Sequence, residues 1–398
     1  FYLAFRGKLR IATPIGKSII ILCLLWLASQ CVTDSVRHSA FADYARGWSN
    51  IGMTVVNFAA LCTLLYGRPR RLMLYGWGLV LGKVLAYFIS PNIFAGEYPW
   101  KFGFAFPVTW AVFLFASREK CRGHWPITLS ASIGIINVVA GARSLGGICL
   151  AAAIYLAITR HMRKKGAVSF TLKPRAMVMI AASIVISAAG VLWAYQYAAG
   201  SGILGWHAQE KYESQSSGQY GMLLGGRVEM LGYLPAIYDS PLLGHGSWAK
   251  DPTYLIAERQ ALALMGYNFA EDISPDDLEE GLIPTHSYIF GAWVDAGILG
   301  AIFWGWVWVL TARVLMRVYP ATAVLLPFVA FIAFELLWDL LFSPYGAEWR
   351  IIVPFYIVIL MTCSDMVPRN AARAAPRGVK RRNLSALTPG PEPGSAHT

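Results

Sequence analysis

Charge is what this sequence has least of. Only 14% of its 398 residues are Asp, Glu, Lys or Arg, against about a quarter in a soluble globular domain. With 56% apolar residues, 15 Trp and 20 Phe, that deficit excludes an ordinary water-soluble fold and points to lipid as the solvent. Apolar runs of about 18–20 residues recur, the length an α-helix needs to cross about 30 Å of hydrocarbon. Some, such as 176–195, carry no charge at all. The runs are continuous rather than alternating, which favours helices over a closed barrel, the other structure able to satisfy its backbone within a bilayer. The expected fold is an all-α polytopic membrane protein.

Other absences narrow the chemistry. Cys23, Cys31, Cys62, Cys121, Cys149 and Cys363 form no C-x-x-C pair and fall within or beside apolar runs. They read as small core hydrophobes, with no disulfide framework and no metal site. There is no fixed-period repeat, P-loop or GxGxxG, so no nucleotide or other cofactor site is visible. No secretory signal with a small-residue cleavage site precedes Arg10.

About ten spans are expected, at 11–30, 51–66, 72–90, 102–116, 126–141, 145–159, 176–195, 287–311, 321–342 and 351–363. The connections then alternate sides. One set holds GRPRR at 67–71, SREKCR at 117–122, RHMRKK at 160–165 with Lys173 and Arg175, and Arg313 with Arg317. With the two termini it accounts for 24 of the 34 Lys and Arg, the pattern of cytoplasmic loops. Both termini are then cytoplasmic. The opposite side holds one large loop, 196–287, with twelve acidic and four basic residues, a formal −8. The net charge of +12 thus reflects topology and anionic headgroups rather than nucleic acid. The organisation reads as a bundle over 1–195, the large loop at 196–287, further spans over 288–363 and a basic, Pro/Gly-rich disordered tail at 364–398.

Three basic groups stand at unusual places. Arg143, in GARSLGG, lies between two apolar runs; a charge there is paired, functional, or snorkelling to headgroups. Its neighbours Gly141, Gly146 and Gly147 permit a tight turn and close backbone approach. Arg227 precedes apolar residues at helical spacing (Val228, Leu231, Leu234, Ile237), then turns at Asp239–Ser240–Pro241 and Gly244–Gly246. This suggests an amphipathic helix on the outer membrane surface with Arg227 near its start, suited to an anion such as phosphate; a salt bridge to Glu229 is the plainer alternative. His286 sits where the loop enters a span, behind Pro284 and Thr285, and on one helical face would join Phe290 and Trp293. It is able to exchange a proton near neutral pH, or merely to bond a loop carbonyl.

Together, GARS, GGR some 80 residues later, PLLGHG, and PTHSY…WVDAGILG resemble the O-antigen ligase and polymerase superfamily of bacterial membrane proteins. The motifs cover about 126–311; elsewhere only hydropathy matches. Asp295 stands where glutamate is commoner and Ser287 where asparagine is. Members commonly have about twelve spans, so the start at Phe1 rather than Met leaves room for spans ahead of this sequence, a shorter member being the alternative. The resemblance implies a metal-independent, inverting glycosyltransferase of the bacterial cytoplasmic (inner) membrane, acting in cell-envelope lipopolysaccharide biosynthesis on the periplasmic face. The donor is an undecaprenyl-diphosphate-linked glycan. The acceptor is lipid A-core for a ligase, or another lipid-linked glycan repeat for a polymerase. Arg143 and Arg227 would hold the donor diphosphate and His286 would activate the acceptor hydroxyl.

Other ionisable groups are secondary candidates: Asp295; Lys83, in mid-span facing a cavity or a partner; and Glu335 with Asp339, one turn apart. The last two are either acid/base or cation-binding groups, or structural partners of Arg350 or Lys83; the second reading is preferred. DISPDDLEEG at 272–281 reads as a solvated loop face and lacks EF-hand spacing. A secondary transporter or flippase fits the buried charges, but no inverted halves are visible. A peptidoglycan polymerase of the shape, elongation, division and sporulation type has a similar span number but fits the motifs less well.

Overall fold

The structure, a computed structural model, describes residues 13–91, 93–121, 123–164, 170–171, 174–221, 228–267, 280–318 and 325–374. It is built of helices: α1 (Pro14–Arg37), α2 (Phe41–Leu65), α3 (Pro69–Ile89), α4 (Ala105–Ala116, entered through a π turn at Trp100–Phe104), α5 (Trp125–Val139), α6 (Arg143–Lys164), α7 (Pro174–Gly200), α8 (Trp206–Ser216), α9 (Met230–Asp239), α10 (Pro252–Leu264), α11 (Tyr288–Ala296), α12 (Ile298–Met316), α13 (Leu326–Phe342) and α14 (Trp349–Ala374). Five of them, α1, α2, α3, α6 and α12, are long and apolar enough to cross a membrane among the described residues. The segments Trp100–Ala116, Trp125–Val139 and Trp349–Ser364 are shorter apolar helices. The chain is thus a helical protein with membrane-spanning character.

The centre is α13 and α14. Residues Pro327–Ala333 and Ile352–Cys363 are buried throughout, as expected of helices that are apolar on every side. α2, α4, α6 and α12 pack around them. Small residues permit the closest approaches. At Gly146 in α6 an added Cβ would lie 2.7 Å from the Gly134 carbonyl of α5 and 2.6 Å from Val138. Cys23, Cys62, Cys149 and Cys363 are buried, as the sequence suggests for small core hydrophobes.

Contacts sort the helix ends into two sets. At one end, Arg37 donates to the Ser240 hydroxyl (2.8 Å) and the Gly244 carbonyl (3.1 Å), and Lys250 pairs with Asp43 (2.8 Å). Segment 228–264 therefore sits over the end of α1 and the start of α2. At the other end, Phe328 N–H donates to Ser117 (3.1 Å), Gly67 N–H to Thr362 (3.2 Å), and a two-residue antiparallel ladder pairs Phe170–Thr171 (β1) with Arg317–Val318 (β2). The basic connections after α2, α4, α6 and α12 thus gather opposite the acidic segment.

Four expectations need correction. The run 287–311 is two helices rather than one. Gly297, at φ +68 and ψ −162, breaks it, because no helical residue adopts that conformation. His286 is not on a helical face with Phe290 and Trp293. Ser287 is the N-cap, accepting from Phe290 N–H (3.1 Å) and donating to the Leu340 carbonyl (2.8 Å), so His286 precedes the helix. The helix after Arg227 does not keep its apolar side for lipid. Val228 and Leu231 pack with Leu262 and Tyr267, and Ile237 packs with Tyr254 and Val294; Leu234 stays exposed. Finally, the segment after 363 is not a tail from its start, since α14 continues to Ala374.

The break at Gly297 receives the loop. An added Cβ there would run into the Leu242 carbonyl. His245 and Gly246 donate backbone N–H groups to the Val294 and Asp295 carbonyls (2.7 and 3.0 Å). Gly297→Ala is expected to cost at least about 2 kcal/mol, from left-handed strain plus the clash. The check is a lowered thermal midpoint, together with faster proteolysis of the loop.

Candidate functional site at the loop end of the bundle

Arg143 owes its place to the end of α5. Ala142 N–H bonds the Asn137 carbonyl (2.8 Å) and Gly141 N–H the Val138 carbonyl (3.2 Å), with Gly141 at φ +85. This is a Schellman motif, which needs glycine at its left-handed position. α6 then starts at once with Arg143. The buried Asn137 side chain fixes the surroundings, donating to Thr109 (2.8 Å) and accepting from Trp100 (3.0 Å). The Arg143 guanidinium lies 4.5 Å from the Tyr195 ring centroid and donates to Gln215 Oε1 (3.3 Å). α7 and α8 therefore close over it.

Two lysines join it. Lys101, next to Trp100, and Lys211, on α8, both feel the charge of Arg143. Partial burial pushes the Lys211 ammonium below its ordinary range, and Arg143 adds to the shift. Like charges gathered this way repel, so the cluster suits a multiply charged anion.

The second cluster surrounds His286. Its Nδ1 lies 3.4 Å from Glu229 Oε1, and its side chain is about half exposed (54%). Behind the pair stands Glu258 of α10, 2% exposed, with Oε2 lacking any hydrogen-bond partner among the described residues. The three elements meet at Gly232. An added Cβ there would lie 2.7 Å from the Pro284 ring and 3.0 Å from Glu258 Oε2, and Gly232 N–H bonds the Glu229 carbonyl (3.1 Å). Burial pushes the Glu258 carboxyl up to about 7; Arg259 opposes the shift and Glu229 adds to it. A carboxyl that changes protonation near neutrality beside an imidazole–carboxylate pair is a typical acid–base environment.

The other expected residues divide. Arg227 and most of 272–281 lie outside the described residues. Arg143 and His286 stand at the same end of the bundle, in separate clusters. Lys83 does have a partner, Glu348, and sits 5.6 Å from the Phe106 ring. Asp295 lies in the notch before Gly297: its carbonyl accepts from Gly246 (3.0 Å) and Gln30 (3.3 Å), and its carboxylate faces the Ala249 N–H. Glu335 and Asp339 pair with neither Arg350 nor Lys83. Arg350 bonds the Ala347 carbonyl of its own turn (3.1 Å), whereas Glu335 accepts from Tyr356 and Asp339 from Ser343 (2.6 Å).

Glu229, Glu258, Lys101 and Lys211 were not among the expected site residues. Lys211 carried a usable signal, a cation in an acidic segment. So did Glu258, which shares the inward stripe Leu255–Glu258–Leu262 of α10.

No family model matches the chain. No curated protein and no solved structure matches it either.

A raised carboxyl makes the folded state bind its proton more tightly than the unfolded state. That contribution is complete below the unfolded value and is lost as pH rises to about 7. Glu258→Gln removes the loss. Its thermal midpoint is expected to gain on wild type between about pH 5 and about pH 8, and parallel curves would refute the assignment.

Proposed function

We propose that this protein is a membrane glycosyltransferase of the O-antigen ligase type. In this reading about ten helices span the bacterial inner membrane, with the basic connections and both termini in the cytoplasm and the acidic loop in the periplasm. The donor is a glycan on undecaprenyl diphosphate and the acceptor is a lipid A-core sugar. The observation that carries the reading is the pairing, at one end of the bundle, of a three-cation cluster (Lys101, Arg143, Lys211) with an imidazole held by a carboxylate (His286, Glu229).

The roles follow from charge. The leaving lipid diphosphate gains negative charge as the glycosidic bond breaks. Arg143, with Lys101 and Lys211 and with Arg227 as the expected fourth cation, neutralises it. His286 takes the acceptor hydroxyl's proton at Nε2 as that oxygen attacks the anomeric carbon. Glu229, on the Nδ1 side, orients the ring and stabilises the imidazolium. A single displacement of this kind inverts the anomeric centre. ATP and nucleotide sugars are absent from the periplasm, so a lipid carrier supplies the activated glycan.

The test is deletion of the gene, with surface glycan and lipid-linked intermediates analysed together. Loss of a ligase leaves long lipid-linked chains and bare lipid A-core. Single lipid-linked repeats would instead indicate a polymerase, and intermediates held on the cytoplasmic face a flippase. Unchanged glycan would sink the reading. In complementation, His286→Ala is expected to lower transfer about 10²–10⁴-fold and Arg143→Ala about 10²–10³-fold, at normal expression. Lys101→Met and Lys211→Met should each cost less and mainly raise the donor KM.

A further inference from the structure

Directly beneath His286 lies a polar group of another kind. Glu335 and Asp339 stand one turn apart on α13, so their side chains share a face, and they are 3% and 5% exposed. Among the described residues neither carboxylate has a Lys, Arg or His at ion-pair distance. Glu335 accepts from the Tyr356 hydroxyl of α14, and Asp339 Oδ1 from Ser343. Among the described residues Asp339 Oδ2 has no donor at normal hydrogen-bond distance. The fully buried Tyr288 hydroxyl is directed at Asp339 without closing a hydrogen bond to any partner.

Two neighbouring buried carboxylates with no counter-charge are among the costliest arrangements a protein interior holds. Among the described residues the surrounding helices bring no cation to ion-pair distance; Arg350, at the start of α14, acts on Tyr345 but bonds the Ala347 carbonyl of its own turn. α11 contributes Tyr288, the turn before α14 contributes Tyr345 and Glu348, and α6 contributes Cys149. Glu348 is already paired with Lys83. From α4 and α12 come Trp110 and Trp304, which do not titrate.

We propose that Glu335, Asp339 and the Tyr288 hydroxyl form a binding site for one exchangeable monovalent cation, either a proton or an alkali ion such as sodium. A proton would be shared between the two carboxylates; an alkali ion would lie between them with the Tyr288 oxygen as its third ligand. Tyr288 is two residues from His286, and Ser287 between them bonds the Leu340 carbonyl of α13. Occupancy of the site thus braces the helix start that presents His286.

The test uses the full chain purified in detergent and does not depend on any transfer activity. Thermal midpoints are measured across pH in sodium chloride and in choline chloride at equal ionic strength. A sodium site predicts a midpoint that rises with sodium at fixed pH. A proton site predicts one that rises as pH falls, whatever the salt. The Glu335→Gln/Asp339→Asn variant should lose that dependence; Glu258 is present in both proteins, so its contribution cancels in the comparison. Tyr288→Phe keeps the ring packing; it should require about three- to tenfold more sodium for the same midpoint shift, the loss expected for one ligand, or displace a proton-linked dependence along the pH axis, because the hydroxyl directed at Asp339 is gone. It serves as the deciding variant if the double substitution does not fold. A wild type indifferent to both cations, a double variant that keeps the wild-type dependence, or a Tyr288→Phe response identical to wild type would each overturn the site. Such a result would leave the glycosyltransferase reading standing, because that reading is tested by glycan analysis.

Discussion

The loop end of this protein hangs on one buried carboxylate. Asp34, in the last turn of α1, is 3% exposed and accepts four hydrogen bonds: Ser247 N–H (2.6 Å), the Ser247 hydroxyl (2.7 Å), the Ser39 hydroxyl (2.8 Å) and the Trp48 indole (2.8 Å). A buried charge so fully satisfied is rigid, and removing any one donor exposes the cost of its desolvation. Gln30 and Arg37 add to the same clamp, donating to Ser247 and to Gly244 and Ser240. Helix α1 thereby grips residues 240–247, more than 200 positions later in the chain.

That grip explains why the PLLGHG and WVDAGILG segments occur together. Residues 244–246 lie in the notch that Gly297 opens between α11 and α12, and the two segments exchange backbone hydrogen bonds there. The glycines serve geometry: Gly244 and Gly246 have positive φ, and Gly297 leaves no room for a Cβ. None of these residues need touch a substrate. They fix the direction in which α11 starts, and so where Ser287 caps it and where His286 points. The motif is therefore a brace for the loop end of the bundle.

Much of this was legible in the sequence. Hydropathy located helices at the apolar runs, though 287–311 proves to be two, and charge separated the two ends, because both effects are local and additive. Arg143 and His286 stood out as ionisable groups where lipid makes them costly. What escaped depended on tertiary contact. The break at Gly297 looks like any helical glycine until the Leu242 carbonyl arrives against it. Glu229 became a partner of His286 only when the start of α9 packed beside Pro284. Glu335 and Asp339 invited pairing with nearby cations, but Lys83 is engaged by Glu348 and Arg350 by its own turn.

The stacking of the two polar groups bears on how such a protein holds an exposed imidazole at the end of its bundle. An imidazole that is about half exposed gains little orientation from packing, so its position must come from what lies behind and below it. Glu229 and Glu258 hold it from behind, through the convergence at Gly232. From below, residues 287 and 288 enter the bundle as a pair, one capping α11 and bonding α13, the other buried against Trp304 and Tyr345 (ring centroids 5.1 Å in each case). Tyr288 is thus a rigid pillar whose only free atom is its hydroxyl. That atom is turned toward Asp339, and whatever neutralises the carboxylate pair also sets how firmly the pillar stands. Charge balance deep in the bundle and the placement of the imidazole at its surface are in this way parts of one mechanical unit.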